Sequence, residues 1–135
     1  MRKRADVIET SASEIAVAGT KAMLEELVYV TPVDTSQALS NWQVNLGNPA
    51  PDELPPYYAG SRGSTAGASS RQAIEEGFRE LTYKKPGQPI FLSNLVDYIK
   101  KLDEGSSSQF PGGFVPRALL VFRIAAEEAR KRIFK

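Results

Sequence analysis

The sequence predicts an α+β fold: a small antiparallel sheet packed against a long N-terminal helix and a C-terminal helix, with a long central arm. Three observations carry this expectation. From Ala5 to Val30, apolar residues recur in steps of three and four, the repeat of a single helix face. At Trp42, Val44 and Leu46 the repeat drops to two, the signature of a strand with one buried side. Helical and strand-like segments are also segregated along the chain, the order expected when helices cover one face of a small sheet.

The first helix is marked by Ile8, Ala12, Ile15, Gly19, Met23, Leu27 and Val30. Ser11 with Glu14 forms a capping-box pattern, which offers a second starting point inside the same run. Gly19 lowers helix propensity, and a stripe thinned by small residues lets another element approach closely. Thr31-Pro32 ends the helix, because the residue before proline is pushed out of the α region.

After the strand, Asn48 to Tyr58 is too rich in proline for a regular element, and Gly60 to Gly67 is mobile by composition. Residues 48–88 therefore read as an exposed arm inserted between two core blocks of one domain spanning 1–135. Its first part, Asn48 to Gly67, is expected to be loose in a free subunit and ordered in an assembly. Within the arm, Ser69 and Gln72 open a short helix carrying Ile74, Phe78 and Leu81. Lys85-Pro86-Gly87 is a turn, and Pro89 to Ser93 a second strand with proline at its tolerated first position. Asn94 caps a helix through Leu95, Tyr98, Ile99 and Leu102 that Gly105 ends, and Ser106 to Gly113 forms a loop. The last helix has Pro116 in its first turn and Leu119, Phe122, Ala126, Ala129 and Ile133 on its core face. Two strands make a poor sheet alone, so Tyr57-Tyr58, Phe114-Val115 or a neighbouring subunit is expected to add to it.

The residue inventory excludes much chemistry. Without cysteine there is neither a disulfide framework nor a thiolate nucleophile, and without histidine there is no Ser-His or Cys-His arrangement. Glu25-Glu26, Glu75-Glu76, Asp103-Glu104 and Glu127-Glu128 are sequence neighbours, which diverge on a helix and do not converge on one substrate. Asp34, Asp52 and Asp97 lack calcium-loop spacing, and Gly60-Ser61-Arg62-Gly63 lacks the lysine of a phosphate loop. The expectation is a non-enzyme with no catalytic, cofactor-binding or metal-binding residues. No apolar run reaches the ~20 residues of a membrane span, and no signal-like apolar region follows Met1-Arg2-Lys3-Arg4, so the chain is expected to be soluble and unexported. Net charge is only +1, yet from Arg117 onward six basic residues face two acidic ones. Arg123, Arg130 and Lys131 fall off the core face of the last helix, open to solvent, to a neighbour or to nucleic acid.

The informative segment runs from Thr31 to Trp42. Pro32 stops the helix, Val33 tucks beneath the turn, and Asp34 is placed to cap a helical turn containing Gln37 and Ala38. Trp42 buries a large aromatic at the start of the strand. As physics this is a well-capped corner. As a pattern, Thr31-Pro32-Val33-Asp34-Thr35 followed by Trp42 resembles the Pro-Val-Asp-Thr-Gly…Trp signature of the tail-completion, or head–tail joining, family of long-tailed bacteriophages. A second block is similar and in the same order: Ile90 to Asn94, Tyr98, Leu102-Asp103-Glu104-Gly105-Ser106, Gln109 and Pro111-Gly112-Gly113-Phe114-Val115. Two features depart from the family. Ser36 stands where glycine is usual, so a left-handed backbone there is either relaxed or carried by serine at a cost, and the stretch between the blocks is long.

The resemblance implies a virion structural protein of the phage neck, assembled in the host cytoplasm. It would form a homo-oligomeric ring, usually hexameric, with twelve-fold symmetry as the other geometry. Such a ring would meet a head connector or adaptor protein on one side and a tail terminator or tail tube protein on the other. Genomic DNA would pass through its lumen, with Arg123, Arg130 and Lys131 as candidates for non-specific contact. The alternative is a small nucleic-acid-binding module that uses the basic C-terminal helix, although such modules are usually far more basic overall.

Overall fold

The computed structural model describes residues 2–31, 36–96, 99 and 114–134. They form helices α1 (Arg2–Val30), α2 (Gln37–Ser40), α3 (Ala66–Leu81) and α4 (Phe114–Ile133), with strands β1 (Gln43–Leu46) and β2 (Ile90–Ser93). The fold is α+β, as the segregated periodicities predict. β1 and β2 pair antiparallel, with Gln43 opposite Ser93 and Leu46 opposite Ile90.

α1 is the spine. It begins at Arg2, ahead of both expected starting points, and Ser11 lies buried within it. Gly19, Leu27 and Val30 are buried as the stripe requires, but so are Leu24 and Val28, which lie beside it, while Ala12 is exposed. The buried arc is broader than one stripe because α3 and α4 both pack on this helix. α4 runs antiparallel to α1, with Arg117 ion-paired to Glu26 and the Phe122 ring seated on Gly19. A β-carbon at Gly19 would come within 2.5 Å of that ring, so only glycine lets it sit there.

The burial of α4 corrects its expected core face. Ala118 and Ala129 are buried and Phe122 is half-buried, but Leu119 points outward. Close helix contact selects the small side chains here, which a search for large apolar residues passes over. Phe114-Val115 opens α4 and so is not strand, and Tyr57-Tyr58 is a bend. Among the described residues the sheet has two strands. The sheet lays Val44, Leu46, Ile90 and Leu92 against the core formed with α1 and α3.

α3 is longer than its capping pattern suggests, starting at Ala66 rather than Ser69, and it is part of the core. Ala73 and Leu81 are buried, and Gly77 sits where α3 meets both Leu24 of α1 and Val44 of β1. The arm therefore contains a core element. Its helix is needed to cover the sheet, because two strands alone leave their apolar side open. The turn into β2 has Pro86 followed by Gly87 at φ +78°, closed by Gln88 N–H donating to the Lys85 carbonyl at 3.1 Å. That is a type II arrangement, with the two residues it favours.

Ser36 precedes α2 with φ 70° and ψ 7°, so the left-handed backbone is carried by serine. Its buried hydroxyl lies 3.0 Å from Thr65 Oγ1, a contact that glycine would forfeit. Ser36→Ala keeps the strained backbone and loses the hydrogen bond, whereas Ser36→Gly loses the bond and relieves the strain. Ser36→Gly is therefore expected to be more stable than Ser36→Ala by about 1 kcal/mol in denaturant titrations. Equal midpoints would mean that the backbone relaxes when the hydroxyl is removed.

Candidate functional site

The two sequence blocks meet at the corner. The Trp42 indole N–H donates to Thr31 Oγ1 at 2.7 Å, and the Thr31 hydroxyl donates in turn to the Leu27 carbonyl, so the ring is tied to the last turn of α1. Asn94 joins the second block to the first: its Nδ2 donates to the Ala38 carbonyl at 2.8 Å, and its Oδ1 accepts from Val96 N–H at 3.1 Å. The latter bond is a side-chain turn. Of the helix that Asn94 is expected to cap, Leu95 is not helical, Ile99 is, and Tyr98 and Leu102 lie outside the described residues. Pro32, Val33, Asp34, Thr35, Tyr98, Glu104, Gly105, Pro111 and Gly112 lie outside the described residues, and so does the expected capping by Asp34.

Beside the corner, polar side chains of α2 and β1 clasp the proline-rich stretch. Asn41 is fully buried; its Nδ2 donates to the carbonyls of Gln37 and Leu54, and its Oδ1 accepts from Leu54 N–H at 2.6 Å. Gln37 donates to the Leu54 carbonyl and the Glu53 carboxylate, Gln43 to the Asp52 carbonyl, and Ser40 Oγ accepts from Tyr57 N–H. From the other side, Ser69 and Thr65 bond the Tyr58 backbone. The stretch read as a free arm is thus fastened along 52–58, although Pro51, Asp52 and Glu53 still face solvent. Burial pushes the Tyr57 phenol above its ordinary range, and the Glu76 carboxylate adds to the shift.

Sequence reasoning missed the clasp because proline-rich composition speaks of the segment alone. The available signal was Gln37 and Asn41, four residues apart on one side of a helical turn. Asn41→Ala leaves the Leu54 N–H without its acceptor and is expected to cost ~1–3 kcal/mol. Proteolysis after Arg62 should accelerate with it, and unchanged cleavage would show that the stretch is held without Asn41.

The third feature is the outward side of α4. Arg123, Arg130 and Lys131 are all exposed there. Arg130 is held by Glu127 one turn earlier, through Nη2–Oε1 at 2.6 Å and Nε–Oε2 at 3.1 Å. That hydrogen bonding is the main reason why the Glu127 carboxyl lies below its usual range and the Arg130 guanidinium above it. Arg123 and Lys131 share this outward side with Leu119, Leu120 and Ile124. Among the described residues, no group of three or more acidic side chains is gathered to hold a metal ion. No described helix is long and apolar enough to cross a membrane. No protein-family model, curated protein or solved structure matches the chain.

Proposed function

We propose that this chain is a virion structural protein, a ring-forming neck or tail-completion subunit that joins a phage head connector to the tail. The observation that carries the reading is the union of the two motif blocks. Trp42 anchors the first to α1, Asn94 fastens the second to Ala38, and β1 pairs with β2 between them. Residues 56 positions apart in sequence thus form one corner, which gives the ordered sequence resemblance a physical unit to act through. In a phage carrying the gene, a nonsense mutation is expected to yield DNA-filled heads and finished tails that fail to join, and purified protein should restore joining. Intact virions from the mutant would overturn the reading.

In this role the exposed cations of α4 meet DNA weakly and without reading sequence, since tight phosphate contacts would hold the genome back. Reversing charge at Arg123 and Lys131 should change folding stability by no more than ~0.5 kcal/mol, because both side chains are exposed. Particles carrying both reversals should retain or pass DNA less well than parental particles. Parental infectivity would remove DNA contact from the role of α4. Tight, steeply salt-dependent DNA binding by the isolated subunit would instead favour a nucleic-acid-binding module.

A further inference from the structure

The stretch after β1 differs from the rest of the chain in how it is held. Among the described residues, no main-chain N–H or carbonyl from Asn48 to Gly60 is bonded to another main-chain group. The ladder stops where Gly47 N–H meets the Pro89 carbonyl, and main-chain bonding resumes where Ser64 N–H meets the Ser61 carbonyl. Side chains of neighbouring elements hold what lies between. Gln43 holds Asp52, Gln37 and Asn41 hold Leu54, Ser40 holds Tyr57, and Thr65 and Ser69 hold Tyr58.

Apolar fastening is equally thin. Ala50 is the one buried side chain from Asn48 to Gly60, and Leu54, Pro56 and Tyr57 are half-buried. Release of the stretch therefore breaks no turn of helix and no rung of the sheet, and the main-chain groups it frees meet water. Pro49, Pro51, Pro55 and Pro56 fix φ along it, so one anchor cannot swing far while the next holds. The body beneath has its own packing. α3 rests on α1 and β1 where Leu24 and Val44 meet Gly77, and Leu46, Ile90 and Leu92 lie against the same core. The sheet thus keeps its cover when the stretch lifts.

We infer that residues 48–59 form a strap that opens and closes as one unit over a body that stays folded. Units of this kind are built from segments with few buried contacts and solvent-facing hydrogen bonds, and they open well before the whole fold does. Gly47, in the left-handed region at φ +83°, is the pivot on the β1 side. Opening bares Gln37, Ser40, Asn41 and Gln43 together, four side chains that read main-chain groups. Any extended segment that takes the strap's place must wait for that opening. The motion is independent of the neck role and belongs to the single subunit.

Native-state hydrogen exchange tests it, because Leu54, Tyr57 and Tyr58 each donate their amide to a different side chain, those of Asn41, Ser40 and Ser69. Asn41→Ala removes only the first of these acceptors. It should nonetheless speed exchange at all three amides by the same factor, roughly fivefold or more. The Gly47 amide and those of β2 should keep their parental protection. Ser40→Ala, which removes the acceptor at Tyr57, gives the same reading from another anchor if Asn41→Ala does not fold. Acceleration confined to the amide whose acceptor was removed would show that the anchors release one by one, and would overturn the inference. Equal acceleration at Gly47 and in β2 would show that the strap opens only with the whole fold, and parental exchange at all three amides that these anchors do not hold it. Either result would overturn the inference too.

Discussion

Trp42→Ala is expected to lower the unfolding free energy by about 3–5 kcal/mol, the usual cost of truncating a large buried aromatic. The indole is buried among core residues and donates its N–H to Thr31, which binds the carbonyl of Leu27. Truncation removes apolar area, leaves a cavity and frees the last turn of α1 from the strand. Trp42→Phe separates these contributions. It retains most of the apolar bulk and loses the donor, so it should cost only about 0.5–1.5 kcal/mol, with the Thr31 hydroxyl still bonded to Leu27. Chemical denaturation of the three proteins is the measurement. Equal midpoints for parent and alanine variant would show that the corner does not depend on its aromatic anchor.

Leu24→Ala is expected to cost about 2–5 kcal/mol, again through lost burial and a cavity. Leu24 has no exposed surface and lies against Gly77, at the place where α3 rests on α1. The same junction makes Gly77→Ala destabilising, by about 1–3 kcal/mol, because its new methyl would overlap Leu24 and press on Val44 at 3.2 Å. These two changes should not add. In the double variant the methyl introduced by Gly77→Ala enters space that Leu24 vacated, so the combined loss should fall short of the summed single losses by at least about 0.5 kcal/mol. Strict additivity would mean that α3 shifts along α1 instead of packing onto it at this point.

These two sites differ in how far they could be read from sequence. Trp42 stands out by residue type and by its place at the change of period. Leu24 does not, because the stripe through Met23 and Leu27 already accounts for one helix face, and periodicity alone gives no sign that two helices share α1. The same limit explains α4. Its contact with α1 is lined by Ala118 and Ala129 together with Phe122, while Leu119, Leu120 and Ile124 stand outward. The exposure of Arg123, Arg130 and Lys131 was legible by subtraction, since none suits a face packed on another helix. The outward position of Leu119 was not, and neither was the clasp, where Asn41 acts on a backbone group 13 residues away. Local propensity carries no information about partners at that distance. Ser36 lies between these cases: its departure from glycine raised the question of backbone strain, and only the φ of 70° answers it.

The clasp also bears on the order in which the molecule assembles. β1 and β2 pair residues up to 50 positions apart, Gln43 with Ser93, so as a bare chain the sheet would close a very long loop. Closure entropy rises only by about 0.6 kcal/mol for each doubling of loop length, but a four-residue pairing has little to set against it. Asn41 with Leu54 closes a much shorter loop first, and Ser69 with Tyr58 a shorter one still. Together the two small closures tie α3 to the corner between α2 and β1, which shortens the loop that the strands have to close. On this account the proline-rich stretch is a folding scaffold: its stiffness limits the conformations that must be searched, and the sheet forms late, on a surface already in place.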